Sequence, residues 1–296
     1  MKHQWWYISL IFLGLFGPTG CIRQQPLPSI YIKGSDTEVN LVLQLAEAYM
    51  EIDSSVSICI TGGGSGVGIA GLFNGNTEVA NSSRGLNAYE EELAKKRGFD
   101  IHAFVFAYDA LAIICHPQMP VDSLTLEELG QIFSGEKTDW VDASGEVYPL
   151  SLYGRQSNSG TYIYFREKII GADYTSAMKQ MNGNAQILEA VKSDPFAIGY
   201  IGLGYLANED GSPREGVKIV RIKSSPGHPA VSPLDQQALQ VGAYPLVRPL
   251  FQFTNGNPEG EIQSFFDFEK SEAGRAIISR NGYLPVPGSQ ITAHSR

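Results

Sequence analysis

Three short segments carry residue types suited to holding a small anion: Ser35-Asp36-Thr37, Ser65-Gly66 and Ser159-Gly160-Thr161. Each follows an apolar, strand-like run and opens a helix-like one. The start of a helix leaves backbone N–H groups without intrahelical partners, and the aligned peptide dipoles place about half a positive charge there. Glycine lets the backbone approach a ligand closely and hydroxyls add donors, so an oxyanion can be held without a shell of lysines. Ser and Thr are also the commonest helix caps, so one such turn carries little weight alone. Three of them, with Arg155 just ahead of the third, describe a shared site for a tetrahedral anion.

The elements that would position these turns alternate between strand and helix. Residues 30–32 are strand-like, and Val39, Val42, Leu43, Ala46 and Met50 then recur at helical spacing. Residues 56–60, the glycine turn 61–64 and the apolar Ile69, Leu72 and Phe73 repeat that order, followed by a short strand at Val79-Ala80 and a charged surface helix over 87–97. Residues 101–114 hold one or two strands, interrupted near Asp109. After Pro117, Thr125 and Glu128 form a capping box ahead of a helix, and a strand over 148–153 delivers the chain to Arg155. A helix over 162–170, another around Ile187, Leu188 and Val191, and a strand over 197–201 follow. Residues 206–240 are rich in Gly, Pro and Ser with weak periodicity, 246–253 form a strand, and 260–279 form a single amphipathic helix. Such βαβ units imply parallel sheets with helices on both faces.

At 296 residues, 43% of them apolar, the chain has room for about two domains with full cores. A net charge of −9 argues against a nucleic-acid or acidic-membrane partner, which would need a basic footprint. Residues 1–20 belong to targeting: Lys2 precedes an apolar segment over 5–16, and Gly20-Cys21 offers a lipoprotein cleavage site. Pro18 stands where bacterial lipoprotein signals usually carry leucine. The apolar segment is too short for a comfortable span, so the body is expected outside the cytoplasm, tied to a membrane by a lipid on Cys21. In that oxidising setting Cys59 and Cys115 could be bonded, and we read them as separate thiols. The histidines, His3, His102, His116, His228 and His294, have no metal-ligand spacing, so no metal or cofactor is expected.

Two enzymatic motifs compete with the anion reading. Gly66-Val67-Gly68-Ile69-Ala70-Gly71 satisfies a dinucleotide fingerprint, with Glu90 and Glu91 downstream. The match is weak, because residues 61–65 stand between the strand and the first glycine of the pattern. Ser65 is not in a nucleophile elbow, since Val67 occupies its last glycine position, and no histidine lies where it would serve as a base. Binding without chemistry is the simpler account.

Seven segments in order then carry a resemblance: 33–37 (KGSDT), 61–68 (TGGGSGVG), 82–84 (SSR), 108–112 (YDALA), 123–129 (SLTLEEL), 154–161 (GRQSNSGT) and 197–200 (AIGY). From about residue 28 to 288 the chain resembles the phosphate-binding proteins of ABC importers. The resemblance implies an α/β, two-lobed type II periplasmic binding protein fold, each lobe a mostly parallel sheet flanked by helices, with the ligand in the cleft between. It implies chain crossings near 109–112 and 244–249, lobe one from 29–110 plus 249–288, lobe two from 111–248, and a tail over 289–296. Ser35, Thr37, Ser65 and Ser83 would then meet inorganic phosphate from lobe one, Ser159, Gly160 and Thr161 from lobe two, and Arg155 would fork onto two of its oxygens. The implied partner is the permease and ATPase complex of an importer, met by a monomeric binding protein. A phosphate sensor or scavenger, or a binder of sulfate or molybdate, would need a similar pocket.

One position departs from the pattern. Some members carry aspartate after the serine matching Ser83, where it accepts the proton of bound phosphate and so helps reject sulfate. This chain has Arg84 there, an added cation in the expected site. The acceptor is then expected at Asp109, with Asp36 second. Asp109 could equally hold Arg84 or Arg155 in place, and Asp36 could cap the first helix.

Overall fold

The structure, a computed structural model, describes residues 29–206 and 214–287; the export segment, Cys21 and the tail over 289–296 lie outside the described residues. The first strand, β1 (Ser29–Gly34), leads through the turn at 35–37 into α1 (Val39–Ile52), which buries Leu41, Val42, Leu45, Ala46 and Tyr49 along one face. Then come β2 (Ser57–Thr61), α2 (Ser65–Phe73), β3 (Val79–Ser82) and α3 (Ala88–Arg97). β1 pairs in parallel with β2 on one side and β3 on the other, so the first two anion-ready turns leave the same end of one sheet.

β4 (Ile101–Cys115) is one unbroken strand. The interruption expected near Asp109 does not occur, because the ladder changes partners without a gap. Asp109 and Ala110 pair with Arg248 and Val247, and Leu111 to Cys115 pair with the strand at 198–202.

β5 (Ser123–Thr125) and α4 (Leu126–Ser134) carry the expected capping box of Thr125 and Glu128. The hairpin β6 (Asp139–Val141) and β7 (Val147–Pro149) precedes β8 (Ser151–Arg155), which ends on Arg155. α5 (Gly160–Phe165) runs on through a π-helical turn at Arg166–Ile170. β9 (Lys179–Met181), α6 (Asn184–Ser193) and β10 (Ala197–Gly202) complete a parallel β10-β8-β9 set. The segment expected to lack periodicity contains β11 (Lys218–Lys223), paired with β4 and β5, and α7 (Gln236–Gln240).

β12 (Val247–Asn255) returns the chain beside β4 and also pairs with β3. The single helix expected over 260–279 is two, α8 (Gly260–Lys270) and α9 (Glu272–Arg280), because Ser271 leaves the helical region and its hydroxyl accepts from Gly274 N–H. β13 (Leu284–Pro285) closes on β4.

The sheet is thus mixed: its βαβ sets are parallel, as expected, and the long strands joining them run antiparallel. Two main cores lie either side of the join, one with Ile30, Leu41, Leu45, Leu250 and Phe265, the other with Ile113, Phe133, Phe165, Ile198 and Tyr200. This is the two-lobed α/β arrangement, with β4 and β12 as the crossing segments. No helix of the described residues is long and apolar enough to cross a membrane.

Candidate anion-binding site

The first turn is pinned by its backbone. Ser35 N–H donates to Asn81 O at 3.0 Å, Tyr205 O–H to Asp36 O at 2.5 Å and Tyr283 O–H to Thr37 O at 2.6 Å. With three carbonyl and amide groups held, the side chains of Ser35 and Thr37, both buried, have fixed directions. Thr37 Oγ1 lies 3.0 Å from Thr161 Oγ1 in the first turn of α5.

The second turn needs glycine. Gly63 and Gly64 sit at φ 120° and 98°, a region that side chains rarely adopt, and this bends the chain sharply off β2 so that Ser65 can open α2. Ser65 Oγ accepts from Ser83 N–H at 3.1 Å and lies 3.5 Å from Ser83 Oγ. Asn158 ties this turn to the third one: its carbonyl accepts from Gly66 N–H and its amide donates to Gly63 O, each at 3.0 Å.

At the third turn Ser159 caps α5, its Oγ accepting from Thr161 N–H at 3.2 Å. Gly160 packs directly on the Ser65 and Ser83 hydroxyls, with no room for a side-chain carbon. The Thr37 and Thr161 hydroxyls thus form one pair and the Ser65 and Ser83 hydroxyls a second, with Gly160 packed on the second pair next to Thr161. Such a cluster donates hydrogen bonds to an oxyanion in a site of low dielectric.

Arg155, 1% exposed, stands at the end of β8 beside this cluster. Its backbone N–H donates to Tyr200 Oη at 3.1 Å, and Tyr200 stacks on Phe165 with centroids 4.3 Å apart. The guanidinium reaches Asp36 Oδ2 at 2.5 Å and Asn182 O at 3.0 Å, both through Nη2. Nε and Nη1 are buried and meet no partner among the described residues. Burial pulls the Arg155 pKa below its ordinary value and Asp36 opposes that. Asp36 does not cap α1; its other oxygen accepts from Gly63 N–H at 2.8 Å.

The structure does not turn the Arg84 side chain toward the hydroxyls. Both of its terminal nitrogens are taken by Glu90, at 2.6 and 2.7 Å, and Nη1 also reaches Gly85 O at 2.8 Å. Glu90 is in turn part of the capping box that starts α3, so the arginine is bound into a helix terminus.

Asp109 is fully buried and holds neither Arg84 nor Arg155. Its partner is Arg248, which donates to Asp109 Oδ2 from Nη2 at 2.9 Å and from Nε at 3.2 Å, while Leu203 N–H donates to Oδ1 at 3.2 Å. Burial pushes the Asp109 carboxyl above its ordinary value, and Arg248 pulls it back. Arg248, Asn158 and the buried Glu38 next to Thr37 were not among the residues expected from sequence. The one readable signal was a lone cation between the apolar Leu246 and Leu250 of a buried strand.

No hydrolytic dyad forms around Ser65, whose Oγ meets Ser83. Among the described residues no group of three or more His, Cys, Asp and Glu could hold a metal ion. Cys59 is exposed on β2 and Cys115 is buried on β4 as separate thiols, and burial pushes the Cys115 thiol up to about 11.

Comparison with known proteins follows this geometry. The family model of the PBP superfamily domain matches residues 22–272. The phosphate-binding protein PstS of Pseudomonas aeruginosa is 32% identical over 272 residues, covering 86% of this chain and 82% of the relative. PstS of Borreliella burgdorferi is 30% identical over 275 residues, covering 90% and 93%. A Clostridium perfringens structure with bound phosphate, assigned to the substrate-binding proteins of phosphate ABC transporters, superposes with a TM-score of 0.75 at 27% identity, covering 88% of this chain and all of that one. An ABC-type phosphate transport receptor from Vibrio cholerae gives 0.68 at 26% identity, covering 87% and 100%. Matched over most of its length by that family model and by these relatives, the chain belongs to the PBP superfamily and, within it, to the PstS-like phosphate-binding proteins.

Proposed function

We propose that the chain captures inorganic phosphate between its lobes, outside the cytoplasm, and delivers it to the permease of an ABC importer. The observation that carries this reading is the pairing of a two-lobed hydroxyl cluster with Arg155, whose Nε and Nη1 are buried without partners. In this reading Ser35, Thr37, Ser65 and Ser83 serve from lobe one, 29–110 with 249–288, and Ser159, Gly160 and Thr161 from lobe two, 111–248. Arg155 adds a charge-assisted donor through Nη1, which has no partner among the described residues. Arg84 is left out of the ligand set, because Glu90 already takes its terminal nitrogens. Asp109 is retained as the acceptor for the anion's proton, through Oδ1, which has Leu203 N–H as its partner.

Binding works by closure rather than by catalysis. The Thr37 to Thr161 contact and the Asp36 to Arg155 ion pair join the lobes, at 3.0 and 2.5 Å, so an anion that needs donors from both sides favours the closed arrangement. The export segment and the membrane anchor at Cys21 follow from the N-terminal sequence, and the monomeric state and the permease partner from family membership.

Titration calorimetry against phosphate, arsenate, sulfate and molybdate tests the ligand. Heat with phosphate and none with sulfate is expected; molybdate or sulfate binding without phosphate binding replaces the reading. Solution scattering with phosphate should show a smaller radius of gyration, and an unchanged radius would remove closure from the account.

A further inference from the structure

Arg248 is the residue in which both lobes and the chain crossing meet. It is 1% exposed and is the register partner of Asp109 on the two crossing strands. Beyond its two bonds to Asp109, its Nη2 reaches Thr161 Oγ1 at 3.0 Å and Thr37 Oγ1 at 3.3 Å. The guanidinium carbon lies 5.4 Å from the centroid of the Tyr164 ring, and Nη1 is buried with no partner among the described residues. Thr37 comes from the first turn, Thr161 from the third, so these bonds coexist only when the lobes are together.

The hydrogen-bond inventory gives this position a consequence. A threonine hydroxyl has one proton and two lone pairs. Of the two Nη2 protons one goes to Asp109 Oδ2 and the other is shared between the two hydroxyls, so each turns a lone pair toward Arg248. At 3.0 Å one hydroxyl donates to the other, which then has both lone pairs engaged and its own proton left over. The pair is therefore biased to give a proton outward and not to accept one. A neutral or apolar residue at 248 would free the lone pairs that face the guanidinium, and the two hydroxyls could then accept as well as donate.

We propose that Arg248 is a positioning residue of the anion site, which from the lobe crossing holds the Thr37 and Thr161 hydroxyls as donors toward bound phosphate. The proposal rests on the phosphate reading above. Arg248 acts through the threonines, whereas Arg155 acts on the anion itself. It also holds the Asp109 carboxylate, so the groups that would give and take protons around the anion share one cation.

The test is phosphate calorimetry on the full chain. Phosphate binding by the unaltered protein is the control, and its failure would sink the phosphate reading without bearing on the fold. Arg248→Met alone leaves Asp109 buried without its cation, so it is paired with the double variant Arg248→Met/Asp109→Asn, compared with Asp109→Asn alone. Loss of the guanidinium should weaken phosphate binding by about 10- to 100-fold, the range for charge-assisted hydrogen bonds. Arg248→Lys keeps the charge but not the fork and should recover part of that loss. The decisive arm repeats the Arg248 replacement in a Thr37→Val/Thr161→Val background. There the further loss should fall to about threefold or less, because the residues act as a unit. An undiminished loss in the valine background, or wild-type affinity in the folded double variant, overturns the proposal. A purely structural role for Arg248 would lower thermal stability in every background and show no such coupling.

Discussion

Arg84 and Arg155 are both buried and each pairs with a carboxylate, yet they are prepared for different work. Glu90 meets Arg84 with both oxygens, and the same carboxylate closes the start of α3, so the charge is neutralised within its own loop. Asp36 meets Arg155 through a single nitrogen, leaving Nε and Nη1 buried with no partner among the described residues. A cation is available to a ligand according to how many of its donors the protein has already satisfied, and proximity alone is a poor guide. In a buried setting the unsatisfied donors cost free energy unless an acceptor arrives.

The largest test of that contrast is Arg155→Met. Removing a buried charged donor from a bound anion should weaken phosphate at least about 30-fold by calorimetry, in line with 2–5 kcal/mol for such pairs; a change below tenfold would erase the distinction. Gly160→Ala comes next. The added carbon meets Ser65 and Ser83 Oγ, so it should displace both hydroxyls and weaken phosphate by about tenfold, the scale of one or two neutral hydrogen bonds.

A third test sharpens the comparison between buried carboxylates, Asp109 with its arginine and Glu38 with no hydrogen-bond partner among the described residues on either oxygen. Burial holds the Glu38 carboxyl well above its ordinary value of 4.5, against the pull of Arg248, with Asp109 and Glu269 adding to the rise and Ser35 opposing it. A raised acid binds more protons folded than unfolded, so it subtracts stability as pH climbs from the unfolded toward the folded pKa. Glu38→Gln should flatten that fall in urea melts taken from pH 4 to 8 and gain about 1 kcal/mol at neutral pH, the scale of an unsatisfied buried group. An unchanged slope would assign the pH dependence to other groups. The smallest effect is expected from Arg84→Gln, with phosphate affinity within about threefold of the parent, because both terminal nitrogens serve Glu90 and only Nε lacks a partner among the described residues. A larger loss would return Arg84 to the ligand set.

Much of this arrangement was legible. The three turns do stand at helix starts, since Gly, Ser and Thr at a strand's end specify that junction chemically. What the sequence concealed was pairing at a distance. Asp109 looked like a break because a lone carboxylate inside an apolar run is costly; Arg248 beside it, 139 residues later, removes the reason to break. Arg84 looked like a ligand because it fills the position after Ser83 where some members of the resembling family carry an aspartate that meets the anion, and only the fold shows Glu90 reaching back. β11 was missed for a different cause: Lys218-Ile219-Val220-Arg221-Ile222-Lys223 alternates, but it is short and flanked by Gly, Pro and Ser. Ser271 split the last helix because a capping hydroxyl outweighed amphipathic continuity on either side.

Both crossings between the lobes are made by β4 and β12, paired with each other from Ile101↔Asn255 to Ala110↔Val247. A pair of loops at this place would have to lose backbone freedom whenever the lobes came together, at about 1–2 kcal/mol per residue ordered. Strands already locked in a ladder have little such freedom left to lose. Closure by bending there would draw on elastic twist instead of disorder, and the affinity of a closed form would carry no ordering penalty from its linkers.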